Sequence, residues 1–157
     1  MTVLLIQVST AQLRAEPIVF ESGERRTTLV ELYTPEGCSS CPPSDRWIAL
    51  FKDSPLLWSS VVPLSFHVDY WDYQGWKDEF SSAVYSSRQR KHQRIGNLSA
   101  VYTPGVLVDG SEWRGLLETE PFPAKASGRP GKLTLSVVEG RASGAARYRH
   151  PKCRHIG

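Results

Sequence analysis

Cys38-Ser39-Ser40-Cys41 lies between a run of strand formers and a run with helical spacing, and this placement constrains the fold more than any other feature of the chain. Two thiols at that spacing can close a small disulfide loop, hold one soft metal ion or sit inert in a core. The flanking residues decide among these. Upstream, Thr28-Leu29-Val30-Glu31-Leu32-Tyr33-Thr34 is rich in side chains that suit a pleated, half-buried surface. Downstream, between Ser44 and Asp53, Trp47, Ile48, Leu50 and Phe51 form one apolar helical stripe. Pro42 and Pro43 suit a helix's first turn, whose N–H groups have no intrahelical partner. The spacing predicts Cys38 just ahead of the helix and Cys41 in or beside its first turn.

The positive end of a helix dipole stabilises a thiolate and so raises the supply of the nucleophilic form. Strand, Cys-x-x-Cys and helix in that order is a thioredoxin-like pattern, and it favours thiol–disulfide exchange by Cys38 and Cys41. Cys38 is expected to be the more exposed thiol, nearest the helix terminus, with Cys41 shielded by the first turn. Glu36 opposes thiolate formation by like-charge repulsion; Arg46 is a cation that could offset it, although sequence alone does not place its guanidinium. Glu31 is unusual in an apolar strand. A buried carboxylate near a dithiol can relay protons, because each exchange step deprotonates one thiol and protonates another. The alternative is a Glu31 that faces solvent.

Further along, Val61 to Phe66 reads as a strand parallel to the first, with Pro63 marking its start or an edge position. His67 to Asp78 is dense in aromatics and acids without a clean period, so it reads as a structured loop, and Ser81 to Ile95 as a weakly amphipathic helix. Thr103-Pro104 then precedes an apolar strand, Gly105 to Asp109, that ends at the hairpin signal Asp109-Gly110, with Glu112 to Leu116 as the returning strand. In the thioredoxin architecture a proline at that place is cis and lies against the dithiol, and Thr103 and Pro104 are the expected substrate-binding residues. Glu118 to Gly131 reads as a linker, Lys132 to Val138 as a strand, Glu139-Gly140 as a turn and Ala142 to Tyr148 as a return. The expected fold class is therefore α/β, a thioredoxin-like central sheet flanked by helices with a short β-rich C-terminal appendage. Residues 1–20 read as a leader or unstructured arm, 21–120 as the thioredoxin-like domain, and 121–157 as linker and partial hairpin.

Five blocks carry a more specific resemblance: Glu31 to Thr34, Glu36 to Pro43, Phe66 to Tyr73, Gly75 to Asp78, and Tyr102 to Pro104. In that order, from about Phe20 to Gly115, they resemble the bacterial family called domain of unknown function 1223. The resemblance implies a thioredoxin-like fold, typically exported, followed by a β-rich C-terminal part. It implies no proven activity or substrate. The expected location is periplasmic or secreted. The chain departs from the pattern at its start, where Val3 to Val8 is a short apolar run without a positive leader, and after about Tyr148, where the β-rich part reads as cut short or altered.

Composition limits the alternatives. The chain of 157 residues is 40% hydrophobic and 22% charged, ordinary for a globular protein, and no apolar run approaches a membrane span. The formal charge of +3 hides an asymmetry, since residues 124–157 hold eight Lys and Arg against Glu139 alone. That tail lacks the density and aromatic interleaving of a nucleic-acid binder and reads as solvated. Three cysteines give one pair and a spare, Cys153, which does not describe a disulfide-stapled fold. The expected partners are protein or small-molecule thiols and disulfides, with no nucleic acid, no membrane span and no cofactor. Two other function classes stand beside exchange. A soft-metal (copper) binding protein would use Cys38 and Cys41 with His67 as a third ligand. A non-catalytic binding module would use Trp71, Tyr73 and Trp76 as an aromatic platform, although aromatics at such density more often cap a core.

Overall fold

The computed structural model describes residues 16–118, 122, 123, 129, 131–138 and 141–146. The elements run β1 (Ile18–Glu21), β2 (Thr28–Thr34), α1 (Pro42–Ala49), β3 (Val61–His67), α2 (Ala83–Arg94), β4 (Gly105–Val108), β5 (Ser111–Glu112), α3 (Gly115–Glu118), β6 (Leu133–Val138) and β7 (Arg141–Ala146). Short 3-10 segments cover Leu50–Asp53 and Asp69–Gln74. Contacts divide the chain into two compact units, Arg25–Arg129 and a second formed by Met1–Glu24 with Pro130–Gly157.

The first unit is a mixed α/β layer structure. Its four-stranded sheet has the order β3-β2-β4-β5. β2 lies parallel to β3, with Thr28 opposite Val61 and Thr34 opposite His67, and antiparallel to β4, with Val30 opposite Val108. The parallel pair needs a crossover, and α1 supplies it. Alternation along β2 then sorts the side chains. Val30 and Leu32 pack with Ile48 of α1, Val61, Val106 and Val108, under the aromatic rings of Trp47, Phe51, Trp113 and Phe122. Tyr33 points the other way and packs with Val68, Leu98 and Leu107.

β2 is buried along nearly its whole length because both its faces and both its edges are covered. β3 is an edge strand, as Pro63 requires. Its ends are closed by the chain itself. Val61 N–H donates to Leu56 O and Trp58 N–H to Val61 O at one end, and Ser82 N–H donates to His67 O at the other. At the β4–β5 hairpin Asp109 and Gly110 have φ of 51° and 77°. Both values suit the tight Asp-Gly turn read from sequence.

α1 is shorter than the expected Ser44 to Asp53 helix, because its last turn tightens into the 3-10 segment. The loop after His67 holds an ordered 3-10 turn, closed by Gly75 at φ 91°. The returning strand after Gly110 spans only Ser111 and Glu112, and Gly115–Glu118 turns into α3 where the sequence suggested strand to Leu116. Tertiary packing decides this difference: Trp113 N–H still bonds Val106 O of β4, but its ring packs on Trp47 at 5.2 Å and the chain turns away after it.

The second unit is a three-stranded antiparallel sheet of order β1-β6-β7. The strand and its return read from the C-terminal sequence are β6 and β7. β1, from the end of the stretch read as a leader or arm, pairs with β6 and adds the third strand that a lone hairpin needs. Residues 1–15, the Glu139-Gly140 turn and residues 147–157, with Tyr148 and Cys153, lie outside the described residues. Among the described residues no helix is long and apolar enough to cross a membrane.

Candidate functional site

The parallel pairing of β2 and β3 brings Thr34 and His67 side by side at the C-terminal end of the sheet. The chain leaves β2 through Pro35, Glu36 and Gly37, and the first ordered bond of the turn is Cys38 N–H to Pro35 O at 3.3 Å. Cys38 and Cys41 are joined as a disulfide with a Cα separation of 5.4 Å. Cys41, not Cys38, holds the N-cap position of α1. Its carbonyl accepts the N–H groups of Ser44 at 2.9 Å and Asp45 at 3.1 Å, while Pro42 and Pro43 fill the first helical positions. The helix dipole therefore acts most directly on Cys41. The sequence reading had placed Cys38 nearest the terminus, but Pro42 fixes the first helical position at the residue after Cys41.

The expected difference in exposure is also small. Cys38 is 2% exposed and Cys41 is 0%. Exposed residues flank both, Gly37 and Ser39 beside Cys38 and Ser40 and Pro42 beside Cys41, so what distinguishes them is place: Cys41 caps α1 and Cys38 meets the loop that carries Thr103. The Cys38 sulfur accepts a hydrogen bond from Thr103 Oγ1 at 3.5 Å and lies 3.4 Å from Ser40 Oγ. Thr103–Pro104 is a cis bond. The sequence order Cys-x-x-Cys followed much later by Thr-Pro thus becomes a spatial neighbourhood. Gln89, fully buried on α2, holds that second loop by donating to Tyr102 O at 2.7 Å, while its Oε1 accepts from the Tyr70 hydroxyl at 2.9 Å.

Glu36 is prevented from facing the sulfurs freely. The Trp76 indole N–H donates to its Oε2 at 2.8 Å, and its own N–H donates to Asp78 Oδ2 at 2.9 Å. Asp78 is 2% exposed and also accepts Phe80 N–H at 2.8 Å and bonds His67 Nδ1 at 2.5 Å. Burial pushes its carboxyl up, but the Glu36 N–H, the His67 ring and the Phe80 N–H outweigh that and hold it below the usual range. Nothing in the sequence pattern singled out Asp78. Only its place in the block Gly75-Trp76-Lys77-Asp78 marked the region.

The remaining predicted residues sort as follows. Glu31 is 1% exposed, which overturns the solvent-facing alternative. Its partners are Arg88 and Tyr33 at 2.6 and 3.4 Å, with His92 Nε2 at 3.6 Å, and they do not include either cysteine. It alternates with Val30 and Leu32, so it faces α2 while α1 covers the other side of β2. A buried ion pair, and not a contact with the dithiol, is what the structure gives it. Burial and then the Glu31 charge push the Tyr33 phenol up. For the metal alternative, no group of three His, Cys, Asp or Glu able to hold a metal ion is present among the described residues. His67 spends its Nδ1 on Asp78, and Asp69 and Asp72 bond Ser86 and Ser81. The aromatic cluster divides: Trp71 packs in the core, while Tyr73 and Trp76 are 80% and 62% exposed.

A groove of about 530 Å³ lies along α1 and β3, lined among others by Asp45, Ile48, Lys52, Trp58, Ser65 and His67.

The family model described as protein of unknown function (DUF1223) matches residues 29–138, which include the cysteine pair, His67, Asp78 and Thr103. None of the curated proteins matches the chain. Among solved structures, the crystal structure of a protein from Agrobacterium tumefaciens is 36% identical, with a TM-score of 0.46, over 59% of this chain and 42% of that one. The chain thus spans less than half the length of that protein.

Proposed function

The chain belongs to the DUF1223 family, and from that footing we propose that it is a thiol–disulfide oxidoreductase of thioredoxin-like fold acting through Cys38 and Cys41. One observation carries the reading. A disulfide capped by a helix at Cys41 meets, at Cys38 Sγ, the hydroxyl of Thr103 from a distant loop. The strand order β3-β2-β4-β5, with one parallel and two antiparallel pairings, supports the fold part.

In the oxidised protein a substrate thiol, as its thiolate, attacks Cys38 Sγ. The Cys38–Cys41 bond breaks, its electron pair leaves on Cys41 Sγ, and a proton equivalent to the one lost by the substrate thiol is taken up there. A second substrate thiol then attacks the mixed disulfide and displaces Cys38. The substrate ends as a disulfide and the protein as a dithiol, and the reduced protein runs the same steps backwards. Attack at Cys38 is favoured because its sulfur meets the Thr103 loop, and the helix dipole at Cys41 stabilises the leaving thiolate. Thr103 and Pro104 hold the substrate next to Cys38, and the partners are protein or small-molecule thiols. The reading places the protein in the periplasm or outside the cell, where disulfides persist.

Equilibration of the full chain with mixtures of reduced and oxidised glutathione, followed by thiol counting, tests this. The expected result is a reversible transition of Cys38 and Cys41 in the folded protein. A disulfide that resists every mixture until the chain unfolds would leave it as a brace for the turn.

A further inference from the structure

Asp78 joins two groups that sequence holds far apart. Its Oδ2 accepts the N–H of Glu36, two residues before Cys38, and bonds the ring of His67, at the end of β3. Asp78 is in turn fixed from behind, because its N–H donates to Asp72 Oδ1 at 3.3 Å and Asp72 Oδ2 accepts the Ser81 hydroxyl at 2.6 Å. The side chain of Asp78 is 1% exposed and that of His67 24%. A buried, ionised carboxylate is thus tied to the turn that enters the dithiol, and its one ionisable partner reaches water.

We infer that Asp78 and His67 form a charge clamp on the dithiol turn, with Asp78 as positioning residue and His67 as the group that makes the reactivity of Cys38 depend on pH. With His67 neutral the pair carries one negative charge, which opposes a thiolate at the end of the turn. With His67 protonated the pair is neutral, and that opposition vanishes. Asp45 of α1 and Lys52 of the 3-10 segment after it share its groove, and Tyr85 of α2 and the ring of Phe80 line its other side. Glu36 is turned to Trp76, and Asp72 to Ser81 and the Asp78 amide. The residue opposite His67 on β2 is Thr34, which is uncharged.

The inference rests on the oxidoreductase reading for its purpose but not for its test. The full chain is reduced, and the rate of Cys38 alkylation by iodoacetamide is followed by mass spectrometry from mildly acidic to alkaline pH in the wild type, His67→Gln and Asp78→Asn. His67→Gln leaves the negative charge uncompensated, so alkylation at the acidic end of the range slows roughly three- to tenfold and rejoins the wild type at the alkaline end. Asp78→Asn removes the charge and speeds the reaction. Opposite shifts establish the clamp, whereas shifts in one direction in both variants, or none, overturn it in favour of a purely structural bond. If Asp78→Asn does not fold, His67→Gln decides alone, and a rate ratio to wild type that does not change with pH overturns the clamp. Opposite shifts in a protein that never exchanges with glutathione would uphold the clamp and refute the oxidoreductase reading.

Discussion

Arg88 of α2 closes on Glu31 of β2, with both Nε and Nη2 2.6 Å from the same carboxylate oxygen. The arrangement is lopsided in its exposure, since the Glu31 side chain is 1% exposed and that of Arg88 43%. The second oxygen of Glu31 is buried without a hydrogen bond, and His92 Nε2 lies 3.6 Å from it. The hydrogen bond to Glu31 raises the Arg88 guanidinium further, so the guanidinium stays charged.

Arg88→Ala is accordingly expected to destabilise the first unit more than Glu31→Gln does. Removing the cation strands a buried carboxylate, a loss of about 3 kcal/mol, and the half-exposed guanidinium argues for the lower end of the range for buried pairs. Glu31→Gln removes the charge that needs compensation. Urea unfolding of both variants checks the order, and an Arg88→Ala midpoint within error of the wild type would contradict it.

Acid should weaken this protein through Glu112. Burial raises its carboxyl, but bonds from the Tyr102 hydroxyl, the Ser99 N–H and hydroxyl, and Arg114 together bring it down to about 2 from an ordinary 4.5. Its folded value is depressed, so its contribution is complete above the unfolded value and is lost as pH falls from about 4.5 towards 2. Asp78 is depressed too and adds a loss of the same sign. Glu112→Gln should lower stability at neutral pH and converge with the wild type near pH 2. Parallel stability curves for the two proteins across that window would count against the assignment.

Gly110→Ala should cost about 1–2 kcal/mol, since the residue has φ 77° and a Cβ in that region meets its own backbone. The nearest outside atom is Asn97 Nδ2 at 3.7 Å, so the penalty comes from backbone conformation and not from a clash. Asp109→Asn at φ 51° should retain the turn and lose only the ion pair to Arg26 at 3.3 Å. Thermal unfolding of the two variants separates these effects.

In the reduced chain Cys38 should be alkylated before Cys41, because Cys41 is fully buried at the cap of α1 while the Cys38 sulfur faces the Thr103 loop. Cys41→Ser should accumulate mixed disulfides through Cys38, and Cys38→Ser should not. Peptide mapping gives the order, and Cys41 labelled first would reverse the assignment of attacking and leaving sulfur.

The parts of this fold that could be read in advance are those written in runs. Leu29 to Thr34, the Trp47 and Ile48 stripe, and Val61 to Phe66 show their periods directly, and their chain order dictates a parallel pair with a crossover. α2 was legible as a helix although its buried face is polar: Ser86 and Gln89 are fully buried, and hydrogen bonds to Asp69, Tyr70 and Tyr102 stand where apolar packing would be expected. That substitution of bonds for apolar area is why its amphipathicity looked weak. Asp78 was illegible for a related reason. A carboxylate in a loop has no period, and two of its three bonds, those to Glu36 and His67, depend on β2 and β3 ending side by side. The division of Trp71 from Tyr73 and Trp76 depends likewise on the 3-10 turn, which no spacing announced.

The closed ends of β3 have a further effect, on how this sheet meets other copies of itself. Even-numbered residues of β3 turn their backbone groups towards β2, as the bonds from Thr28 N–H to Ser60 O and from Val68 N–H to Thr34 O fix, so the odd-numbered ones face outward. Val61 is already bonded to Leu56 and Trp58, His67 O to Ser82 N–H, and Pro63 has no donor. Ser65 alone among them offers both a free donor and a free acceptor, and the opposite edge, β5, spans only Ser111 and Glu112. A sheet with so little open edge gives another chain almost no template for strand pairing, which protects this unit against edge-to-edge aggregation.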